Sequence, residues 1–208
     1  MRLQAAFDRV SVERAAELTG LVKGYADIIE VGTSLIKDYG LDGSVRVLKE
    51  KYPDQCILAD IKTCDEGEYE FRKSYEAGAD IPTVMGFSSV ATIRACQNVA
   101  HEFGKEYMID LLEVSDEKLT VLKKEFPDAI FGVHLPSDNQ GEGLVELVKH
   151  MCARMEGIAK IAVAGGVKLD TLDVMKQAGV DIVIVGGAIS KSEDVTAAAK
   201  AFAEEIRR

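Results

Sequence analysis

The chain repeats one alternation eight times: a short apolar run, then a longer segment with apolar residues at helical spacing. The runs fall at 2–7, 27–32, 56–59, 80–84, 106–111, 129–134, 160–164 and 181–185. The segments between them fall at 11–23, about 40–51, 66–77, 88–103, 115–125, 144–154, 170–178 and 193–207. Ser11 is placed to cap the first of these helices, and Gly78, Gly104 and Gly179 to end three others. Pro53 and Pro127 stand where two more must stop. Short strands that are apolar on both faces belong to a parallel sheet covered by helices. This pattern leaves an open doubly wound sheet or a closed barrel. Eight units without an edge-strand signal, and no G-x-G-x-x-G after the first strand, favour a compact (β/α)8 TIM barrel, one domain over residues 1–208.

Composition bounds the function. A net charge of −10 argues against a general nucleic-acid surface, which needs a basic stripe. It also means that any anion site must be built locally. The four cysteines, Cys56, Cys64, Cys96 and Cys152, contain no C-x-x-C pair, so a zinc knuckle is not expected. Cys56 reads as a small core residue, and reduced thiols suit a cytoplasmic protein. The apolar residues after Met1 are too few for a signal sequence or a membrane span.

In a barrel of this kind the chemistry gathers at the carboxyl ends of the strands. Those ends carry Asp8, Glu30, Asp60 with Lys62, Asp110 and His134. The third is the densest, with Asp65 and Glu66 close behind. Strand alternation predicts that Asp60 and Lys62 point the same way. Glu30 and Asp60 offer oxygens from adjacent strands, a set that suits Mg²⁺, or else both simply pair with Lys62. Lys62 among carboxylates is expected to stay cationic. His101 and His150 fall within helices and read as surface residues, whereas His134 ends a strand. The pairs Gly165-Gly166 and Gly186-Gly187, with Ala188 next, end the last two strands, where backbone amides can cradle a phosphate.

These residues resemble a known group. Asp60-x-Lys62-x-x-Asp65 is similar to the D-x-K-x-x-D motif of the orotidine-monophosphate-decarboxylase superfamily. The stretches 3–8, 28–33, 162–166 and 184–189 resemble its branch that holds 3-hexulose-6-phosphate synthase and 3-keto-L-gulonate-6-phosphate decarboxylase. The resemblance implies a barrel that dimerises through its active-site face and uses Mg²⁺ and a 1,2-enediolate. By position, it implies Glu30 and Asp60 as metal ligands, Asp8 as a substrate-contacting and lysine-orienting residue, and Lys62 as the group that stabilises the enediolate. It implies Asp65 as a residue reaching the partner's site, His134 as a residue near the reacting carbons, and the glycine pairs as the phosphate grip.

Three positions bear on the reaction. Thr63 resembles the synthases, and Ala188 and Ser137 stand where the decarboxylases carry arginines. Leu135-Pro136 departs from the synthase pattern. The expected activity is therefore addition of formaldehyde to D-ribulose 5-phosphate. The alternatives are decarboxylation of 3-keto-L-gulonate 6-phosphate and a non-catalytic barrel that binds a phosphorylated pentulose or hexulose. An epimerase would want a metal-binding histidine set that the sequence lacks.

Overall fold

The computed structural model of the chain describes residues 1–135, 143–155, 157–158 and 160–208. Eight parallel strands close into a barrel in chain order. They are β1 (Arg2–Phe7), β2 (Ile28–Val31), β3 (Cys56–Thr63), β4 (Ile81–Met85), β5 (Met108–Asp110), β6 (Ile130–His134), β7 (Ile161–Ala164) and β8 (Ile182–Val185). The barrel closes where β1 pairs with β8, Gln4 opposite Ile184.

Alternation sorts the side chains. On β1, Leu3, Ala5 and Phe7 pack outward against the helices, while Gln4 and Ala6, and Asp8 just past the strand, line the interior. The interior is floored by Ile28, Leu58, Ile81, Met108, Ile130, Ala162 and Ile182, which form a separate apolar cluster. At the amino ends of three strands an aspartate ties down a neighbouring strand. Asp27 accepts from the Leu3 amide (2.8 Å), Asp80 from Ile57 (2.9 Å) and Asp181 from Ile161 (2.9 Å). These carboxylates serve the closed end and leave the other end for chemistry.

The helices are α1 (Val12–Val22), α2 (Thr33–Leu41), α3 (Val47–Lys51), α4 (Gly67–Glu76), α5 (Val90–Phe103), α6 (Asp116–Glu125), α7 (Leu144–Arg154), α8 (Leu172–Gln177), α9 (Gly187–Ser190) and α10 (Val195–Arg207). The caps read from the sequence form: Ser11 Oγ accepts from the Arg14 amide, and Gly104 ends α5 at φ 63°.

Three boundaries differ from the sequence reading. The helix expected at about 40–51 starts at Thr33, bends at Gly40 (φ 69°) and continues through a wide π-type turn, Asp42–Arg46, into α3. A glycine able to break the helical backbone hid the first half of this segment. The helix expected from 170 begins as a 3₁₀ turn, Leu169–Thr171, before α8. The four-residue α9 is too short to show a period. None of the described helices is long and apolar enough to cross a membrane.

Candidate active site

The open end holds a cavity of about 890 Å³. Asp8, Glu30, Asp60, Lys62, His134, Gly165, Gly166, Gly186, Gly187 and Ala188 all line it, together with Asp110. Asp65 does not line it; it is exposed on the loop just after β3.

Asp60 and Lys62 do face the same space, though simple alternation is not the cause. The β3–β4 register slips between Ala59 and Thr63, and Lys62 adopts φ 49°, a conformation uncommon for a side-chain-bearing residue. Thr83 of β4 holds this bulge. Its hydroxyl accepts from the Lys62 amide at 2.9 Å and donates to Asp60 Oδ1 at 2.9 Å. Asp60 Oδ2 accepts from Thr33 Oγ1 at 2.7 Å and lies 3.1 Å from Lys62 Nζ.

Lys62 Nζ also donates to Asp110 Oδ2 at 2.9 Å. The same oxygen lies 3.0 Å from His134 Nδ1. Asp110 Oδ1 accepts from the Leu112 amide at 2.9 Å. One buried carboxylate therefore joins the lysine to the histidine. Burial alone would raise the Asp110 pKa, but the His134 hydrogen bond and the Lys62 charge outweigh it and hold the carboxyl at about 2. Burial works against the Lys62 charge too, yet Asp60 and Asp110 together push its pKa up, so it is cationic. An imidazole that donates Nδ1–H to Asp110 keeps Nε2 as its basic nitrogen.

The lysine-orienting part expected of Asp8 falls instead to Asp60 and Asp110. Asp8 Oδ1 is engaged by the Ser34 amide (3.1 Å) and hydroxyl (2.8 Å) at the start of α2. The chain leaves room for it with Gly32, where a Cβ would collide with the Asp8 carboxylate. Glu30 is not bound to Lys62 either: Gln4 Nε2 donates to Glu30 Oε2 at 2.5 Å. With burial as the main cause and the Asp60 charge second, the Glu30 carboxyl is pushed up to about 8.

Lys62 reaches Asp60 but is not bound to Glu30, so this buried acid beside a second carboxylate is a place where a divalent cation would take the place of the proton. Among the described residues no three His, Cys, Asp or Glu side chains cluster as a full protein cage. Two carboxylates with the other positions left to water or substrate is the habit of Mg²⁺, so Glu30 and Asp60 fit it.

Gly165 and Gly166 have φ 97° and 75°, and a Cβ on Gly165 would collide with the Leu135 carbonyl oxygen. Gly186 and Gly187 open α9. Arg9, Lys37 and Lys168 also line the cavity. Lys37 and Lys168 were missed because α2 and the loop after β7 had to be placed first, whereas Arg9 directly follows Asp8 and was within reach of the sequence reading. Ser137 and Pro136 lie outside the described residues. Of the other residues singled out, Thr63 donates to Glu70 at 2.6 Å, and His101 is exposed and bound to Asp128.

Residues 1–202 match the family described as orotidine 5'-phosphate decarboxylase / HUMPS family. The chain belongs to that family. Within it, the chain is 36% identical over 201 residues to 3-hexulose-6-phosphate synthase of Mycobacterium gastri, covering 96% of this chain and 97% of the relative. The crystal structure of 3-hexulose-6-phosphate synthase from Salmonella typhimurium matches with a TM-score of 0.93 at 33% identity, over 100% of this chain and 99% of that one. The structure of 3-keto-L-gulonate-6-phosphate decarboxylase from Vibrio cholerae O1 biovar El Tor matches at 26% identity and a TM-score of 0.87, over 100% and 97%. The rim charges of this family member thus sit on a barrel shared by enzymes of both names.

Proposed function

We propose that this chain is a carbon–carbon lyase of the aldehyde-lyase type, a 3-hexulose-6-phosphate synthase. It adds formaldehyde to D-ribulose 5-phosphate to give a 3-hexulose 6-phosphate. The observation that carries the reading is the connected set Asp60–Lys62–Asp110–His134, in a cavity whose last two strands end in glycine loops. Such loops are the usual phosphate site of this fold. Arg9, Lys37 and Lys168 give that end of an acidic protein the local positive charge a sugar phosphate needs.

His134 Nε2 takes a proton from C1 of the ribulose phosphate, with Asp110 fixing the ring. The Lys62 ammonium, held by two carboxylates, stabilises the negative charge that develops on the enediolate oxygens. The C1 carbon then bonds to the formaldehyde carbon, whose oxygen takes up the proton. Glu30 and Asp60 would hold a Mg²⁺ ion, which when bound supplies Lewis-acid polarisation of substrate oxygens. Asp8, fixed by Ser34, faces the same cavity as a substrate contact.

The chain works as a homodimer in this reading. Tyr39, Tyr69 and Phe87 are 46%, 63% and 50% exposed, and Tyr39 and Tyr69 border a groove in which Ile36, Leu41 and Ile61 lie beside the charged Asp42, Arg46, Glu70, Lys73 and Glu76. A second copy covers this surface, and the exposed Asp65 reaches the partner's cavity.

Decarboxylation of 3-keto-L-gulonate 6-phosphate is the second reading, since it passes through the same intermediate. Against it, Ala188 lines the cavity where a guanidinium would grip the carboxylate. A paired assay separates the two. Formaldehyde-dependent loss of ribulose 5-phosphate, stopped by a chelator, is the expected result. Carbon dioxide release without formaldehyde addition favours the second reading. Tight sugar-phosphate binding with neither turnover leaves a binding barrel.

A further inference from the structure

The most buried polar side chain lining the cavity is Gln4. It sits on β1 opposite Ile28 on one side and Ile184 on the other, level with the apolar floor. It is fully buried. Taking an amide out of water at this depth costs free energy that Leu or Met of similar volume would not incur. One half of the amide is accounted for by the short hydrogen bond from Nε2 to Glu30 Oε2. The other half is not: Oε1 is buried with no partner among the described residues. An orphaned buried acceptor has lost its water and gained nothing in return. As a metal ligand Glu30 must be ionised, and a turned-over amide would then set Oε1 against a carboxylate, so the metal-bound state requires the orientation in which Nε2 donates to Glu30.

We propose that Gln4 is a positioning residue of the cation site, holding Glu30 through its N–H and offering its carbonyl oxygen to the hydration shell of a divalent ion. The inference rests on the reading of Glu30 and Asp60 as metal ligands. It goes further by assigning the purpose of the buried amide. Hydrogen bonds that orient a ligand carboxylate are part of a metal site, and their loss typically weakens metal binding about 10–100-fold. A water on the ion carries O–H groups, the partner type that Oε1 lacks.

The test uses the full chain without substrate. Mn²⁺ is titrated against wild type, Gln4→Met and Gln4→Leu, with free Mn²⁺ read by electron paramagnetic resonance. Thermal melts in chelator and in Mn²⁺ accompany each titration. Each variant removes the orphaned carbonyl but also takes the donor from Glu30 Oε2, so the melts in chelator serve to show that the variant folds. Their Mn²⁺ affinity should fall about tenfold or more, and the melting gain from Mn²⁺ should shrink with it. A smaller loss in a variant that folds overturns the role of Gln4. Wild type binding Mn²⁺ no better than Asp60→Asn overturns the metal reading itself, and the inference goes with it.

Discussion

Asp110 and Glu30 are both buried carboxyls on the same rim, yet their neighbours drive them in opposite directions. Asp110 has a cation and an imidazole against it and stays charged. Glu30 has an amide and a second carboxylate, and it holds its proton until about pH 8. The folded-state pKa of Glu30 lies above its ordinary value of 4.5, so the folded chain holds a proton that the unfolded chain has released. That contribution to stability is complete below about pH 4.5 and is lost as pH rises toward about 8. The cation-free protein should therefore show a downward slope of melting temperature through this window. Saturating Mg²⁺, which takes the place of the proton, should flatten it, and so should Glu30→Gln. Melts between pH 5 and 8.5, roughly the span over which Glu30 titrates, test this. An unchanged slope in Glu30→Gln would contradict the assignment.

Among the elements, the irregular part of β3 carries the site. Its alternation is interrupted between Ala59 and Thr63, and the left-handed Lys62 backbone is held by the Thr83 hydroxyl. A residue other than glycine in that conformation costs on the order of 1–3 kcal/mol unless its surroundings fix it. Thr83→Val keeps the shape but leaves the Lys62 amide and Asp60 Oδ1 each one partner short. It should lower stability by about 1–3 kcal/mol, read by denaturant melts, and lower kcat as Lys62 leaves its place. A variant with normal stability and turnover would show that the bulge needs no such clamp.

The same element marks how far the sequence was legible. Asp60 and Lys62 were expected on one side, and they are, but for a different reason. Alternation was the only rule available, and a bulge depends on the neighbouring strand. The strands themselves were plain because each is a short apolar run between turn residues. α2 was half hidden because Gly40 resembles a stop, and α9 because four residues have no period. At the rim, Asp110 could be placed from the end of β5, but its tie to both Lys62 and His134 joins positions 48 and 24 residues apart. Gln4 carried no signal beyond being a polar residue in an apolar strand.

At the scale of the molecule, closure of the barrel brings eight strand ends to one rim. It also leaves exposed aromatic residues beside it. If a second copy covers them, Tyr69→Asp should put a charge into the interface and shift the protein toward monomer in light-scattering measurements. Turnover should fall with it, because Asp65 loses the partner's cavity. Full activity from a monomer would refute the shared site.

The central claim is that this rim removes a proton from C1 of a ribulose phosphate. Incubation of D-ribulose 5-phosphate with the protein and Mg²⁺ in deuterium oxide, without formaldehyde, tests it directly by proton magnetic resonance. A C1 proton signal should be lost to exchange, and Asp60→Asn, still folded, should leave it intact. A C1 signal that persists with wild type, or exchange as fast in Asp60→Asn, would contradict it.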